Sequence, residues 1–207
     1  MTLYRLVSIV FLYRSDGTVS WDKQMKDRNT TRETILRAAV RVIEETGISS
    51  LTLELVASHA GVSKGGLLYH FPSKEALITG LLQLYIDEFE IKFEDEYLQD
   101  PYPEKPGRWL RAYIRASAAE FTVTEVAGAS LIAAVATNPD LLKLIRTQAE
   151  KWKKKVTADI DPVLATVIRL AVDGLCFADI FEIEKPQGKF REEVLQKMVA
   201  LTMEQKE

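Results

Sequence analysis

Apolar residues recur at helical spacing along most of the chain. Ile35, Ala38, Ala39, Val42 and Ile43 follow the 3.6-residue period and give one apolar face. Thr30 ahead of them, with Glu33 three residues on, reads as a capping box that opens a first helix, and Gly47 reads as the residue that closes it. Thr52 caps a short helix over Leu53–Ala60 with Val56, Ala57 and Ala60 turned inward. Gly61-Val62-Ser63 breaks the pattern, and a third short helix runs from Ser63 or Lys64 to His70. Pro72 stops it. Ser73 then caps a long fourth helix that passes Tyr85 and continues through the acidic stretch Glu88–Glu96.

The segment from Asp100 to Gly107 carries three prolines and is a breaker. After it the spacing predicts helices over 108–123, 126–137, 139–160, 162–183 and 190–205. Pro139 and Pro162 fall in first turns, where a missing N–H costs nothing. No alternating run of useful length predicts a strand, and no internal repeat appears. The fold class expected is all-α.

Residues 52–71 read TLELVASHAGVSKGGLLYHF. A helix-turn-helix needs a small residue where its second helix crosses the first, and Ala57 supplies it. It also needs a residue tolerant of positive φ at the turn, and Gly61 supplies that four residues later. Val56, Ala60, Val62 and Leu67 fill the wedge between the two helices. The run AGVSKGGLLYHFPSKEAL (Ala60–Leu77), behind a capped helix that ends in Gly47, resembles the DNA-binding domain of the TetR family of transcriptional regulators. The match covers about residues 30–85. The stretch DPVLATVIRLAVDGL (Asp161–Leu175) resembles the dimer-forming region of many members.

The resemblance implies an N-terminal three-helix DNA-binding domain over 25–80 and a larger helical ligand-binding and dimerisation domain over 81–207. It implies a ligand-responsive repressor that binds double-stranded DNA as a homodimer. It places the Lys64 helix in the major groove and the start of the Ser73-capped helix at the phosphate backbone. Residue chemistry agrees. Ser63 and Lys64 reach base edges from the helix start, and Gly65 and Gly66 let the backbone come close. Thr52, Tyr69, His70, Ser73 and Lys74 suit phosphate contacts, which position without specifying sequence. Leu68 stands where many members carry Tyr, which removes one polar contact.

Composition narrows the alternatives. The 207 residues are 47% apolar and 28% charged, with one cysteine (Cys176) and two histidines, so neither a disulfide nor a His-based metal cluster is expected. No cofactor is expected, and a reducing cytoplasm suits the chain. Glu94 and Glu96, two apart, do not face the same way on a helix, and no nucleophile–base pair suggests an enzyme. Gly65-Gly66 lacks the strand and the spacing of a phosphate-cradling loop. Net charge is −3, but residues 25–80 carry seven Lys/Arg against six Asp/Glu, whereas 81–207 carry 17 against 22. DNA binding would then rest on a few placed contacts. The apolar run 6–13 is too short to span a bilayer, and residues 1–24 read as an extension ahead of Met25.

For the sensor half, Trp109, Tyr113, Phe121, Trp152 and Phe177 are the candidate pocket residues, and the effector expected is apolar or amphipathic. His59 reads as structural, Lys151–Lys155 as a solvated face with Trp152 inward, and Cys176 as inert packing. Val163, Leu164, Val167, Ile168, Ala171, Val172 and Leu175 give a wide apolar stripe. Val194, Leu195, Met198, Val199 and Leu201 do the same, and two copies would make a four-helix bundle.

Overall fold

The computed structural model describes residues 23–119, 121–143, 145–146, 150 and 160–203, with the backbone alone at 23–29 and at Glu125. Trp152, the Lys151–Lys155 run and residues 1–22 lie outside the described residues.

The first helix, α1, spans Lys23–Thr46 and passes straight through Thr30. The expected start at a capping box is corrected here. Glu33 pairs instead with Arg37 one turn on, at 2.7 Å, and the Thr34 hydroxyl donates to the Thr30 carbonyl at 2.8 Å. Lys23–Thr30 holds neither proline nor glycine, so nothing in the chain stops the helix from extending upstream. Its other end follows expectation. Gly47 adopts φ 77° and donates to the Ile43 carbonyl, and a 3-10 turn over Ile48–Ser50 follows.

Helices α2 (Leu53–Ala60) and α3 (Lys64–His70) take the predicted bounds, and α4 runs Lys74–Leu98. Then α5 covers Arg108–Ala116, α6 Glu125–Thr137, α7 Pro162–Phe181 and α8 Gly188–Leu201. Residues 139–143, 145–146 and 150 are helical as well. No strand occurs among the described residues, so the all-α expectation holds. Among those residues, no helix is long and apolar enough to cross a membrane.

The helix expected over 108–123 stops seven residues early. Side chains from elsewhere take the backbone and hydroxyl groups of the segment after it. Glu88 on α4 accepts from the Thr122 amide at 2.8 Å and from its hydroxyl, and Glu44 on α1 accepts from the Thr124 hydroxyl at 2.6 Å. Tertiary hydrogen bonds thus replace the last turns of a helix.

One continuous core runs from Ile35 to Met198. Helix α1 packs on α2, α4 and α6; α4 lies along α5; α7 packs on α5 and α6, and α8 on α5. The first helix therefore touches both halves of the chain. At the far end of α4, Arg111 is wholly buried. Its guanidinium grips Asp100 with contacts of 2.6 and 3.1 Å and also donates to the carbonyls of Tyr102, Lys105 and Pro106. The breaker Asp100–Gly107 separates α4 from α5 as expected, and it is wrapped around this cation.

Candidate functional site

Each short helix of the 52–71 motif begins at a hydroxyl cap. The Thr52 side chain accepts from the Leu55 amide, Ser63 from Gly66, and Ser73 opens α4 by accepting from Ala76. Between α2 and α3, Gly61 sits in the left-handed region at φ 67°. The Val62 amide closes the turn by donating to the Ala57 carbonyl at 3.1 Å. Val56, Ala57 and Leu67 are buried beneath, so α3 is seated by its own apolar face.

That seating leaves the opposite face of α3 in solvent. Lys64 is about 62% exposed, Tyr69 68%, and Gly65 is open with nothing near its α-carbon substituent position. The Lys64 ammonium pairs with Glu54 of α2 at 2.5 Å and holds that carboxyl below the usual carboxylate range. Tyr69 and His70 meet edge to face, ring centres 5.2 Å apart. Ser63, Lys64, Gly65, Gly66, Tyr69 and His70 therefore share one short element. Thr52, Ser73 and Lys74 stand at the starts of its neighbours.

Lys74 is more engaged than its sequence suggests. Its ammonium donates to the carbonyls of Ile48 at 2.9 Å and Ser49 at 3.4 Å, tying the start of α4 to the turn after α1. His59 bonds the Leu55 carbonyl and Glu45, joining α2 to α1. Gly80 escaped the sequence reading altogether. A β-carbon there would lie 2.5 Å from a ring carbon of Phe71 and 3.1 Å from Leu36, so α4 crosses too closely for any side chain. Its only signal was a glycine inside the mostly apolar stretch Ala76–Leu84. Arg32 also stacks over Phe71, at 5.3 Å from the ring centre.

The second half holds a cavity of about 610 Å³ between α6, α7, the start of α8 and the segment 117–124. Tyr85, Phe121, Leu131 and Ile132 give it apolar walls, and Lys185, Gln187 and Arg191 stand at its polar end. Arg191 is forked onto Asp179 at 2.7 and 2.8 Å. Of the expected pocket residues, Phe121 lines this space. Trp109 and Tyr113 instead stack on each other, Trp109 tilted against Phe93 and Tyr113 edge-on to Phe89, and Phe177 packs on Phe181. The Tyr113 hydroxyl donates to buried Asp173, and burial pushes its ionisation far up. Cys176 lines the cavity, and burial raises its thiol well above the ordinary range.

Comparison with known proteins follows this division. The model described as "Bacterial regulatory proteins, tetR family" matches residues 35–81, and one described as "Tetracyclin repressor-like, C-terminal domain" matches 107–203. The HTH-type transcriptional regulator RutR of Escherichia coli K12 is 40% identical over 65 residues, 31% of each chain. The regulator AcrR of Shigella flexneri is 32% identical over 82 residues, 38% of each. The chain thus aligns with about a third of these relatives' length. Among solved structures, the multidrug binding protein EbrR in complex with imidazole superposes with a TM-score of 0.56 at 26% identity. That match covers 83% of this chain and 94% of EbrR.

Proposed function

The chain belongs to the TetR family of regulatory proteins, and from that premise we propose that it is a ligand-responsive repressor acting as a homodimer on a near-palindromic operator. The observation that carries this reading is the α2–Gly61–α3 unit, whose buried face fixes α3 while its outer face presents Lys64, Gly65 and Tyr69 to solvent. Ser63, Lys64, Gly65 and Gly66 take base edges. Thr52, Tyr69, His70, Ser73 and Lys74 take phosphates. The Lys64–Glu54 pair is a solvent-screened surface ion pair, so Lys64 exchanges Glu54 for a guanine edge at little cost. Two of the three Lys74 N–H bonds are committed to carbonyls, which leaves a third for a phosphate.

The dimer rests on α7. Val163, Val167 and Leu170 are exposed on one stripe of that helix, with Ala171 beside them, while Ile168 and Val172 are buried in the chain's own core. Gly174, on the same helix, has nothing near its β position, which suits close helix approach by a second copy. A two-fold pair would set its α3 helices about 34–36 Å apart, one turn of B-DNA. The effector enters the 610 Å³ cavity, a volume suited to a small organic molecule, and its mixed lining suits an amphipathic one. Its binding favours a spacing of the two α3 helices that no longer fits both half-sites.

Selection of duplexes from a random pool, followed by binding at several salt concentrations, tests the reading. We expect a near-palindromic sequence and affinity that falls steeply with salt. Absence of any salt-sensitive binding would instead favour a ligand-binding protein without a DNA target, a reading to which Leu68 and the small positive charge of residues 25–80 lend some weight.

A further inference from the structure

One segment belongs to both halves of the molecule. Residues Ser117–Ala119, Phe121, Val123 and Thr124 form a wall of the cavity, and Thr122 sits between two of them. The same stretch is bonded to the far part of α4 and, through Arg37 and Glu44, to the DNA-reading half. Thr122 donates through its amide to Glu88 at 2.8 Å and through its hydroxyl to the same carboxylate. Arg37 of α1 donates to the Thr122 oxygen at 3.2 Å while holding Glu33. The Thr124 hydroxyl donates to Glu44, two residues before the end of α1. Beyond Glu44 come Gly47, the 3-10 turn and α2, and His59 of α2 is bonded to neighbouring Glu45.

We propose that Thr122 and Thr124 are the residues through which cavity occupancy is read by the helix-turn-helix, and that the route runs along α1 by way of Arg37 and Glu44. This deepens the repressor reading and rests on it. An occupant that presses on Phe121 and Val123 moves the two threonines between and beside them, because adjacent residues on a short non-helical segment cannot shift independently. Hydroxyl-to-carboxylate bonds are directional and short-ranged, so a displacement of an ångström or so breaks them rather than stretching them. Loss of the Glu44 bond frees the last turn of α1, the platform on which α2 and Lys74 are mounted. The arrangement is bistable in the sense a switch requires: bonded or unbonded, with little between.

Gly128 supplies a test that needs no identified effector. It lines the cavity from α6, and a β-carbon there would make only ordinary 3.9 Å contacts with Ile180. Gly128→Phe therefore projects a ring into the cavity as a built-in occupant. In the wild-type background, this change should weaken operator binding at least tenfold. It should also speed amide hydrogen exchange over residues 40–50. In a Thr122→Val, Thr124→Val background, or with Glu44→Ala alone, the added ring should change affinity less than threefold and leave exchange over 40–50 as it was. Thermal melting checks that each variant is folded, and Glu44→Ala, an exposed change, serves if the double variant is not. Equal weakening in both backgrounds overturns the proposal, and so does a ring that changes neither binding nor exchange. The exchange arm reads the joint without DNA, so a wild-type protein that fails to bind any duplex counts against the repressor reading alone.

Discussion

At the residue scale, two positions show how a single side chain, or its absence, decides the geometry of the reading head. Gly80 has no room for a methyl group, because the rigid Phe71 ring lies 2.5 Å from where it would stand. Gly80→Ala gains up to about 1 kcal/mol in helix propensity. It loses roughly 1–3 kcal/mol to overpacking, so the melting temperature should fall. Thermal unfolding followed by circular dichroism checks this, and an unchanged or raised midpoint would mean that the α4–Phe71 crossing relaxes freely. Lys64 carries a different expectation. Lys64→Ala should leave stability almost unaltered, since its partner Glu54 is exposed, yet relax base preference by about 1–3 kcal/mol at one base pair. Competition binding with single-base operator variants measures that directly.

At the scale of elements, what matters is how helices are fastened to one another. Lys74 fastens α4 to the 3-10 turn. Lys74→Ala should lower stability by about 1 kcal/mol through the lost carbonyl bonds. If Lys74 also touches a phosphate, the log–log salt slope of DNA binding should flatten by about 0.9. A stability change with an unaltered slope would assign the lysine to the fold alone. At the other end of α4, burial by itself would push the Asp100 carboxyl up, but hydrogen bonds from Arg111 and Arg115 outweigh it and hold it below the usual carboxylate range. Because the folded value lies below the unfolded one, the stabilisation is fully present above the ordinary carboxylate range and is lost as pH falls through and below it. Asp100→Asn, which leaves Arg111 buried without a counter-charge, should cost about 3–5 kcal/mol at neutral pH. It should also remove part of the acid sensitivity that sets in as pH falls through and below the ordinary carboxylate range in denaturant titrations.

At the scale of the whole molecule, the single chain leaves unburied what a pair would bury. Val163 is 70% exposed and Val167 54%, on a helix whose other face is packed in the core. Val167→Glu should abolish self-association while leaving the monomer's helix content intact. Binding to a full operator should then drop towards that of a half-site. Sedimentation velocity beside DNA titration reads both. A variant that still sediments as a dimer would move the interface elsewhere. On α8, Met198 is buried within the chain, whereas Phe190 at the helix start is exposed.

Local chemistry determined the reading head. Thr52, Gly61, Ser63, Pro72 and Ser73 act within a few residues of themselves, through caps, a left-handed turn and a missing N–H, so α2, α3 and the start of α4 stood in the sequence with their bounds. Tertiary structure decided whatever depended on partners far along the chain. Helix α5 ends at Ala116 because Glu44 and Glu88, 80 and 34 residues away from their threonine partners, take the hydrogen bonds of the next segment. Trp109 and Tyr113 form an aromatic stack with α4 rather than the cavity wall, and an acidic, proline-rich stretch closes around Arg111. Periodicity reports which face of a helix is apolar, but not which neighbour that face meets, and the sensor half is built from such meetings.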